Sequence, residues 1–384
     1  MNFSKSRDLT FSEKIVNCEI ISDIDGFRHL KPEWNDLLAS SAATSFFLTY
    51  EYLWTWWNVY SAAYKLRIVT ARDIDGKLIG IAPMMIGASD RNRRLLLRHL
   101  VFIGGLGDTL SEDQDFIVNE GDEMTVVPRL VQVLLEQFAG EWDLMQLSLV
   151  SSESPCLAPL GGAIESAAGE LQCVQRHVAP YAILPATWEA YLATRSKSFR
   201  HPFNRRARKL KRDHRVEFLT AGREIEPREA INFVATLCRE RWGRASRAFN
   251  SEKFCEFHSR LAELLVPQEQ AYIVIMKVDG EAAAAEYDLI YGPKMFGFQG
   301  GWKSSLAHLA IRKIMHGKAF QRAIDQGLTE FDFLAGDVGY KTDWATGQRE
   351  LLDFEVVNPR SFRGRTFKRM RQLRNELRDA FSVG

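Results

Sequence analysis

The sequence predicts an α/β (α+β) protein built from two copies of one unit, and three observations carry that expectation. The chain has 384 residues, and at roughly 100–200 residues per domain two domains are the natural division. Two β-rich runs flank Asp75-Gly76 within residues 65–88, and two more flank Asp279-Gly280 within 270–292; Asp-Gly between such runs is a strong hairpin signal. The order of elements around each hairpin is the same: helices, hairpin, a further strand, a helix, a strand. Aligning RIVTARDIDGKLIGIAPMMIG with YIVIMKVDGEAAAAEYDLIYG superimposes the two turns with a one-residue gap.

In the first half Phe27, Leu30, Trp34, Leu37 and Leu38 fall near helical spacing and predict a helix over 25–40. YEYLWTWWNVY, residues 50–60, is aromatic on nearly every face and reads as a buried helix. Strands are expected at 96–103 and 115–118, a helix at 123–138 and a strand at 142–149. In the second half helices are expected at 227–242 and 252–265. A third strand is expected at 294–300, a long helix at 304–326, and strands at 329–334 and 349–357. A basic helix is expected at 360–378.

The apolar fraction of 46% and the charged fraction of 26% are those of an ordinary globular protein with a sizeable core. Five cysteines, odd in number and without a CxxC pair, fit a reducing setting rather than a disulfide framework. The first residues, MNFSKSRDLTFSEK, have no apolar stretch like that of a signal peptide. No apolar run approaches the ~20 residues of a bilayer span. The expectation is a soluble cytoplasmic protein, with a place on the inner face of a membrane left open.

The formal charge of +1 hides a strong asymmetry. Residues 195–215, RSKSFRHPFNRRARKLKRDHR, hold ten Lys/Arg and one Asp; residues 360–378 hold eight Lys/Arg and one Glu. Phe199, Phe203, Ala207 and Leu210 form a docking stripe in the first run, with Pro202 expected at the first helical position. The remaining face is either simply solvated or a surface for anions: cofactor phosphates, an acidic carrier protein, tRNA, or anionic lipid headgroups.

The stretch FDFLAGDVGYKTDWA ends a strand-like run with two glycines, two carboxylates, a tyrosine, a lysine and a tryptophan, a poor piece of core. It resembles the GNAT acyltransferase superfamily, and more closely the CelD/BcsL cellulose-biosynthesis acetyltransferases, a tandem-GNAT branch related in fold to the Fem peptidyltransferases. The family pattern "fDFl.G…YK..W" is matched by Phe331, Asp332, Phe333, Leu334, Gly336, Tyr340, Lys341 and Trp344. The basic run SKSFRHPFNRRARKLKRD and the Arg241-Trp242 pair are further shared features. The resemblance implies two tandem GNAT-like domains, each a mixed, mainly antiparallel sheet flanked by helices. The expected division is 15–184, a basic junction helix 185–215, a catalytic domain 216–360, and a basic C-terminal helix 361–384.

The resemblance also implies an acyltransferase that takes its acyl group, acetyl above all, from acyl-coenzyme A or an acyl carrier. The acceptor would be an amine or hydroxyl of a sugar, glycolipid or other envelope or exopolysaccharide precursor. Such chemistry needs a base for the attacking group, an oxyanion donor and an acid for the departing sulfur. Tyr340 stands where GNAT enzymes often place that acid; alternatively it covers the strand end. Glu286, among the alanines of EAAAAEYD, is the candidate base, with Gln299 as a hydrogen-bonding neighbour. Asp337 caps the helix of Tyr340 and Lys341 or positions the acceptor. Asp332 faces the acceptor cleft or water, and Lys341 meets a phosphate or an acidic acceptor. Trp344, Arg241 and Trp242 complete the expected substrate-binding set. Where GNAT enzymes carry a Gly-rich turn this chain reads GGWKSSLAHLAIRK, so Ser304, Ser305, Leu306 and Ala307 are the expected cofactor-binding turn, with Ser304 or Ser305 capping a phosphate-binding helix.

His308 and His316 read as surface or core histidines, and Cys255 with His258 does not make a zinc site, so no metal is expected. Neither a GxSxG elbow nor a GxxxxGK[ST] loop occurs. Two other readings stay open: Fem-like transfer from aminoacyl-tRNA, and a non-catalytic scaffold of polysaccharide assembly.

Overall fold

The computed structural model describes residues 15–88, 96–109, 111–243, 249–336 and 339–382, with side chains to 376. In the first half β1 (Asn17–Ile21) leads into α1 (Ile24–His29), α2 (Lys31–Ala39) and α3 (Tyr50–Tyr60). The hairpin β2 (Tyr64–Arg72) and β3 (Leu78–Ala88) follows, then β4 (Arg98–Phe102), β5 (Ile117–Val118), α4 (Glu123–Glu136), β6 (Leu144–Ser151), α5 (Leu157–Ala167) and β7 (Gln172–Ile183). The second half opens with α6 (Trp188–Thr194), α7 (Lys197–Asp213) and β8 (Val216–Thr220), then α8 (Pro227–Trp242) and α9 (Glu252–Leu265). Its hairpin is β9 (Ala271–Val278) and β10 (Glu281–Tyr291), followed by β11 (Lys294–Trp302), α10 (Ile311–Asp325), β12 (Glu330–Asp332), α11 (Gly339–Trp344), β13 (Gly347–Val357) and α12 (Phe362–Ser382).

Both Asp-Gly pairs are turns: Gly76 sits at φ 81°, and Asp279 and Gly280 at 52° and 88°, the left-handed region that such hairpins require. Parallel pairing joins β4 to β6 and β11 to β12, each pair bridged by a crossover helix, α4 or α10, as parallel geometry demands. The other pairings among these strands are antiparallel. The architecture is therefore the mixed, mainly antiparallel one read from the sequence, twice over.

The halves share one sheet, in the order β1-β2-β3-β4-β6-β13-β7-β12-β11-β10-β9-β8, with β5 beside β3. The last strands are exchanged: β13 of the second half lies against β6, and β7 of the first half lies against β12. Arg349 on β13 reaches across β7, its guanidinium 4.6 Å from the Tyr181 ring centroid, to Glu330 at 2.6 Å and Asp332 at 3.2 Å on β12. Gly347 makes room for this packing, since a Cβ there would lie 2.6 Å from the Tyr181 ring.

The aromatic helix α3 is buried, as its composition predicts, and it joins the halves. Tyr52 packs edge-on against Phe257 of α9 at 5.3 Å, within a core that also holds Trp34, Trp56, Tyr287 and Phe298. A second core lies under α4 and α5, and a third under α10 with α6 and α7.

Several elements depart from the sequence reading. The helix expected over 25–40 is two helices that break at Leu30, with a proline in the first turn of the second. The helix α7 starts at Lys197, capped by Ser196, so Pro202 lies inside it rather than at its first position. The expected helix 304–326 is a 3₁₀ turn, Ser304–Leu309, followed by α10; Ala310 between them takes φ 58°. Residues 152–184, for which no element is expected, hold α5 and β7, and the junction helix expected over 185–215 is two helices, α6 and α7. Much of β7 faces solvent and carries polar residues and Pro180, so its apolar signal is faint.

Arg349→Met leaves the buried Asp332 without its ion-pair partner, while the half-buried Glu330 keeps Lys294; loss of a buried partner costs about 3–5 kcal/mol. Chemical denaturation should show that loss, with part of it recovered in an Arg349→Met/Asp332→Leu double variant.

Candidate functional site

The strands β11 and β12 pair at three positions, ending at Phe296 opposite Asp332. Beyond that point β11 continues to Trp302 while the other chain turns away. Between them opens a cleft of about 430 Å³. Small residues shape its floor: Ala284 and Ala285 of β10, and Gly297, Gly300 and Gly301 of β11. A Cβ on Gly300 would stand 3.4 Å from Glu286 Oε2, so the glycine leaves Glu286 approachable.

The turn out of β12 explains the polar stretch after it. Asp332 Oδ1 accepts the Leu334 amide at 2.7 Å, and Leu334 takes φ 60°, a conformation that costs a branched residue roughly 1–2 kcal/mol. Lys341 Nζ donates to the Leu334 and Ala335 carbonyl oxygens at 3.1 and 2.9 Å. Glu112, from the first half, accepts the Ala335 amide at 2.5 Å. Three side chains, through four hydrogen bonds, thus hold one bend, and the bend delivers α11 and Tyr340 to the cleft wall.

Glu286 is buried on β10, and its Oε1 lies 2.5 Å from His316 Nδ1 on α10. Among the described residues His316 Nε2 is buried and has no hydrogen-bond partner. The Tyr340 ring centroid is 5.5 Å from that of His316, and the Arg312 guanidinium lies 3.1 Å from the Tyr340 ring centroid. Burial pushes the Tyr340 hydroxyl pKa up, against the opposing charge of Arg312, so the phenol stays protonated at neutral pH. Asp288, two residues beyond Glu286, is fully buried, with both oxygens unpartnered among the described residues; burial and the Glu286 charge raise its pKa well above the ordinary range. At the mouth Trp302 lies 4.7 Å from the Arg241 guanidinium and 4.8 Å from that of Arg312.

The structure brings Glu286, Gln299, Tyr340, Lys341 and Trp242 to the cleft lining. Arg241 stacks on Trp242 at 4.7 Å, behind that rim. Asp337 lies outside the described residues. Four expectations change. Asp332 faces neither acceptor nor water: it is buried and bound to Arg349 and the Leu334 amide. Lys341 is buried and spends its ammonium on carbonyl oxygens of the bend, where an unpaired charge would be costly. Trp344 is a core residue, 2% exposed, packed on Phe199, Phe203 and Phe320. Ser304, Ser305, Leu306 and Ala307 form the 3₁₀ turn instead of capping α10, and none lines the cleft. The helix begins after Ala310, and its first amides, Ile311 to Lys313, precede the first intrahelical bond, from Ile314 to the Ala310 carbonyl oxygen.

The sequence reading set His316 aside and missed Arg312, Trp302 and Glu112. Arg312 and His316 stand four apart on one helical face, a signal available beforehand. Glu112 had none, because it arrives from a loop of the other half. Among the described residues no group of three or more His, Cys, Asp or Glu is placed to hold a metal ion.

A mixed sheet whose central parallel strands part beneath a crossover helix, repeated in tandem, defines the GNAT fold. Residues 197–342 match the family model Acetyltransf_6, an acetyltransferase (GNAT) domain. The crystal structure of FemX superposes with a TM-score of 0.60 at 9% identity, covering 88% of this chain and 98% of that one. A tandem GNAT protein from the clavulanic acid biosynthesis pathway gives 0.51 at 11% identity, covering 90% and 100%. A conserved protein of unknown function from Bacteroides thetaiotaomicron gives 0.52 at 12%, covering 88% and 99%. At identities this low the likeness is one of fold alone. No curated protein sequence matches the chain significantly.

Glu112, Asp113 and Asp115 are raised by burial to about 7, 6 and 7. For Glu112 the folded value lies above the ordinary 4.5, so its contribution to stability is full below pH about 4.5 and is lost as pH rises through about 7. Glu112→Gln keeps an acceptor for Ala335 and removes that loss. Its thermal midpoint should exceed the wild type's by more at pH 8 than at pH 4.5.

Proposed function

We propose that the protein is an acyltransferase of the CelD/BcsL type. It moves an acyl group, acetyl above all, from acyl-coenzyme A or an acylated carrier to an amine or hydroxyl of a sugar, glycolipid or other envelope or exopolysaccharide precursor. The observation that carries this reading is the Glu286–His316 pair, buried in a cleft opened by parted strands, with Tyr340 on the same wall.

The cleft suits a thin thioester arm, because Gly300 leaves the β11 backbone beside Glu286 without a side chain to block it. The donor supplies the activated carbonyl. The open amides at the start of α10 and the Arg312 guanidinium offer its phosphates a positive end. Glu286 accepts the Nδ1 proton of His316, which fixes the tautomer that leaves Nε2 with its lone pair. His316 Nε2 takes the proton of the attacking amine or hydroxyl as the new C–N or C–O bond forms. Tyr340 gives its proton to the sulfur as the C–S bond breaks, and the imidazolium proton passes through water to the Tyr340 phenolate, which restores both groups. The base assigned to Glu286 from the sequence thus becomes an orienting partner for His316.

A second reading, aminoacyl transfer from tRNA, is favoured by α7: Phe199, Phe203 and Leu210 are buried while Arg205, Arg206, Arg208 and Lys209 are exposed. Its structural likeness to FemX adds to that reading.

His316→Gln and Tyr340→Phe should each lower kcat by about 10²–10⁴, measured as free thiol released from acetyl-coenzyme A in the presence of amino sugars or polysaccharide precursors, with the thermal midpoint close to wild type. Unchanged turnover in Tyr340→Phe removes its acid role. Deacylation of aminoacyl-tRNA without thiol release transfers the site to the second reading, and calorimetry showing no binding of acyl-coenzyme A or tRNA removes both.

A further inference from the structure

The last helix, α12, carries an apolar stripe turned away from the protein. Its packed face is marked by Gly364, where a Cβ would meet the Asp143 carbonyl oxygen at 2.7 Å, and by Arg371, whose guanidinium binds Glu355 of β13 at 2.5 Å. Helical positions advance by ~100°, so Gly364 and Arg371 share one side, while Phe362, Met370 and Leu373 fall within about 80° of one another on the opposite side. Those three are 76%, 45% and 59% exposed. A helix on a globular protein ordinarily turns its apolar stripe inward; α12 does the reverse.

Charge completes the pattern. Arg365 and Arg369 border the stripe on one flank, Arg363 and Arg374 on the other, and all four are exposed. Between residues 360 and 376 there are seven Lys/Arg, and Glu376 is the single acid. Among the described residues no helix is long and apolar enough to cross a membrane. A stripe of large apolar residues between two rows of arginine is the form of a helix that lies in a lipid interface.

We propose that α12 docks the protein on an anionic lipid surface, with Phe362, Met370 and Leu373 entering the acyl boundary and the flanking arginines pairing with headgroup phosphates. Charge complementarity favours this occupant over a second copy of the chain, because two such helices face to face would set arginine rows against each other, with Glu376 the single acid among residues 360–376 to offset them. Nucleic acid would use the arginines and leave the apolar stripe without a partner. The inference is independent of the chemistry assigned to the cleft.

The test is co-sedimentation of the full chain with phosphatidylcholine vesicles, and with vesicles in which roughly one-third of the lipid is phosphatidylglycerol. Binding to the mixed vesicles is expected, more than tenfold weaker to the neutral ones, and lost on raising salt. Arg369→Gln/Arg374→Gln and Met370→Ser/Leu373→Ser should each lower partitioning about tenfold or more; all four side chains are exposed, so circular dichroism and the thermal midpoint should stay at wild type. Absence of binding, or equal binding to both vesicles, overturns the proposal. So does binding that survives these variants but is lost in Arg205→Gln/Arg208→Gln on α7. A concentration-dependent dimer that Met370→Ser/Leu373→Ser dissociates assigns the stripe to a second copy instead.

Discussion

Arg349 is the point on which the sheet is registered. It leaves β13, passes over the Tyr181 ring of β7 and ends on Glu330 and Asp332 of β12, so one side chain spans three strands from both halves. Lys294 also approaches Glu330, at 3.6 Å, which sets two cations against two carboxylates. A buried ionic group persists only when its charges balance and its geometry is good. Because β7 and β13 are exchanged, neither half completes its own sheet edge. A one-residue slip would turn every side chain of an exchanged strand to the wrong face, and it would also unpair this group.

The cleft follows from that arrangement. Asp332 carries Arg349 on one oxygen and holds the Leu334 amide with the other, so the residue that closes the sheet also starts the bend away from it. The strain of Leu334 in the left-handed region is held by Lys341 behind it, and Glu112 of the first half holds the next amide. The bend parts the chain from β11 and opens the cleft that Glu286 and His316 line. The first half is therefore a structural participant in the site of the second, through Glu112 and through the α3 aromatics packed against α9.

The polar stretch after β12 is legible in the sequence as something other than core, and Tyr340 and Glu286 lie in the cleft lining. Polarity alone did not separate side chains that face the cleft from those that build it. Asp332, Lys341 and Trp344 share a motif with Tyr340, yet the first two hold backbone and the third fills a core. His316 was discounted because a lone histidine on a helix carries little information; its meaning comes from Glu286, thirty residues earlier on another element. The position of Ala310 is a similar case, since an alanine gives no warning of a left-handed residue and the sequence places the helix start seven residues too soon.

Periodicity, the two Asp-Gly turns and the order of elements determined by themselves that the chain is a duplicated α/β unit, and composition alone showed that the helix of residues 50–60 is buried. These are short-range properties, set by which side chains share a face or a turn. Tertiary structure decided that the final strands are exchanged, that Arg349 locks them, that His316 meets Glu286 and that Glu112 crosses between halves. Each of these joins residues far apart in the chain, and a pairing of that kind is selected by the geometry and charge balance of the folded sheet, which no local pattern encodes.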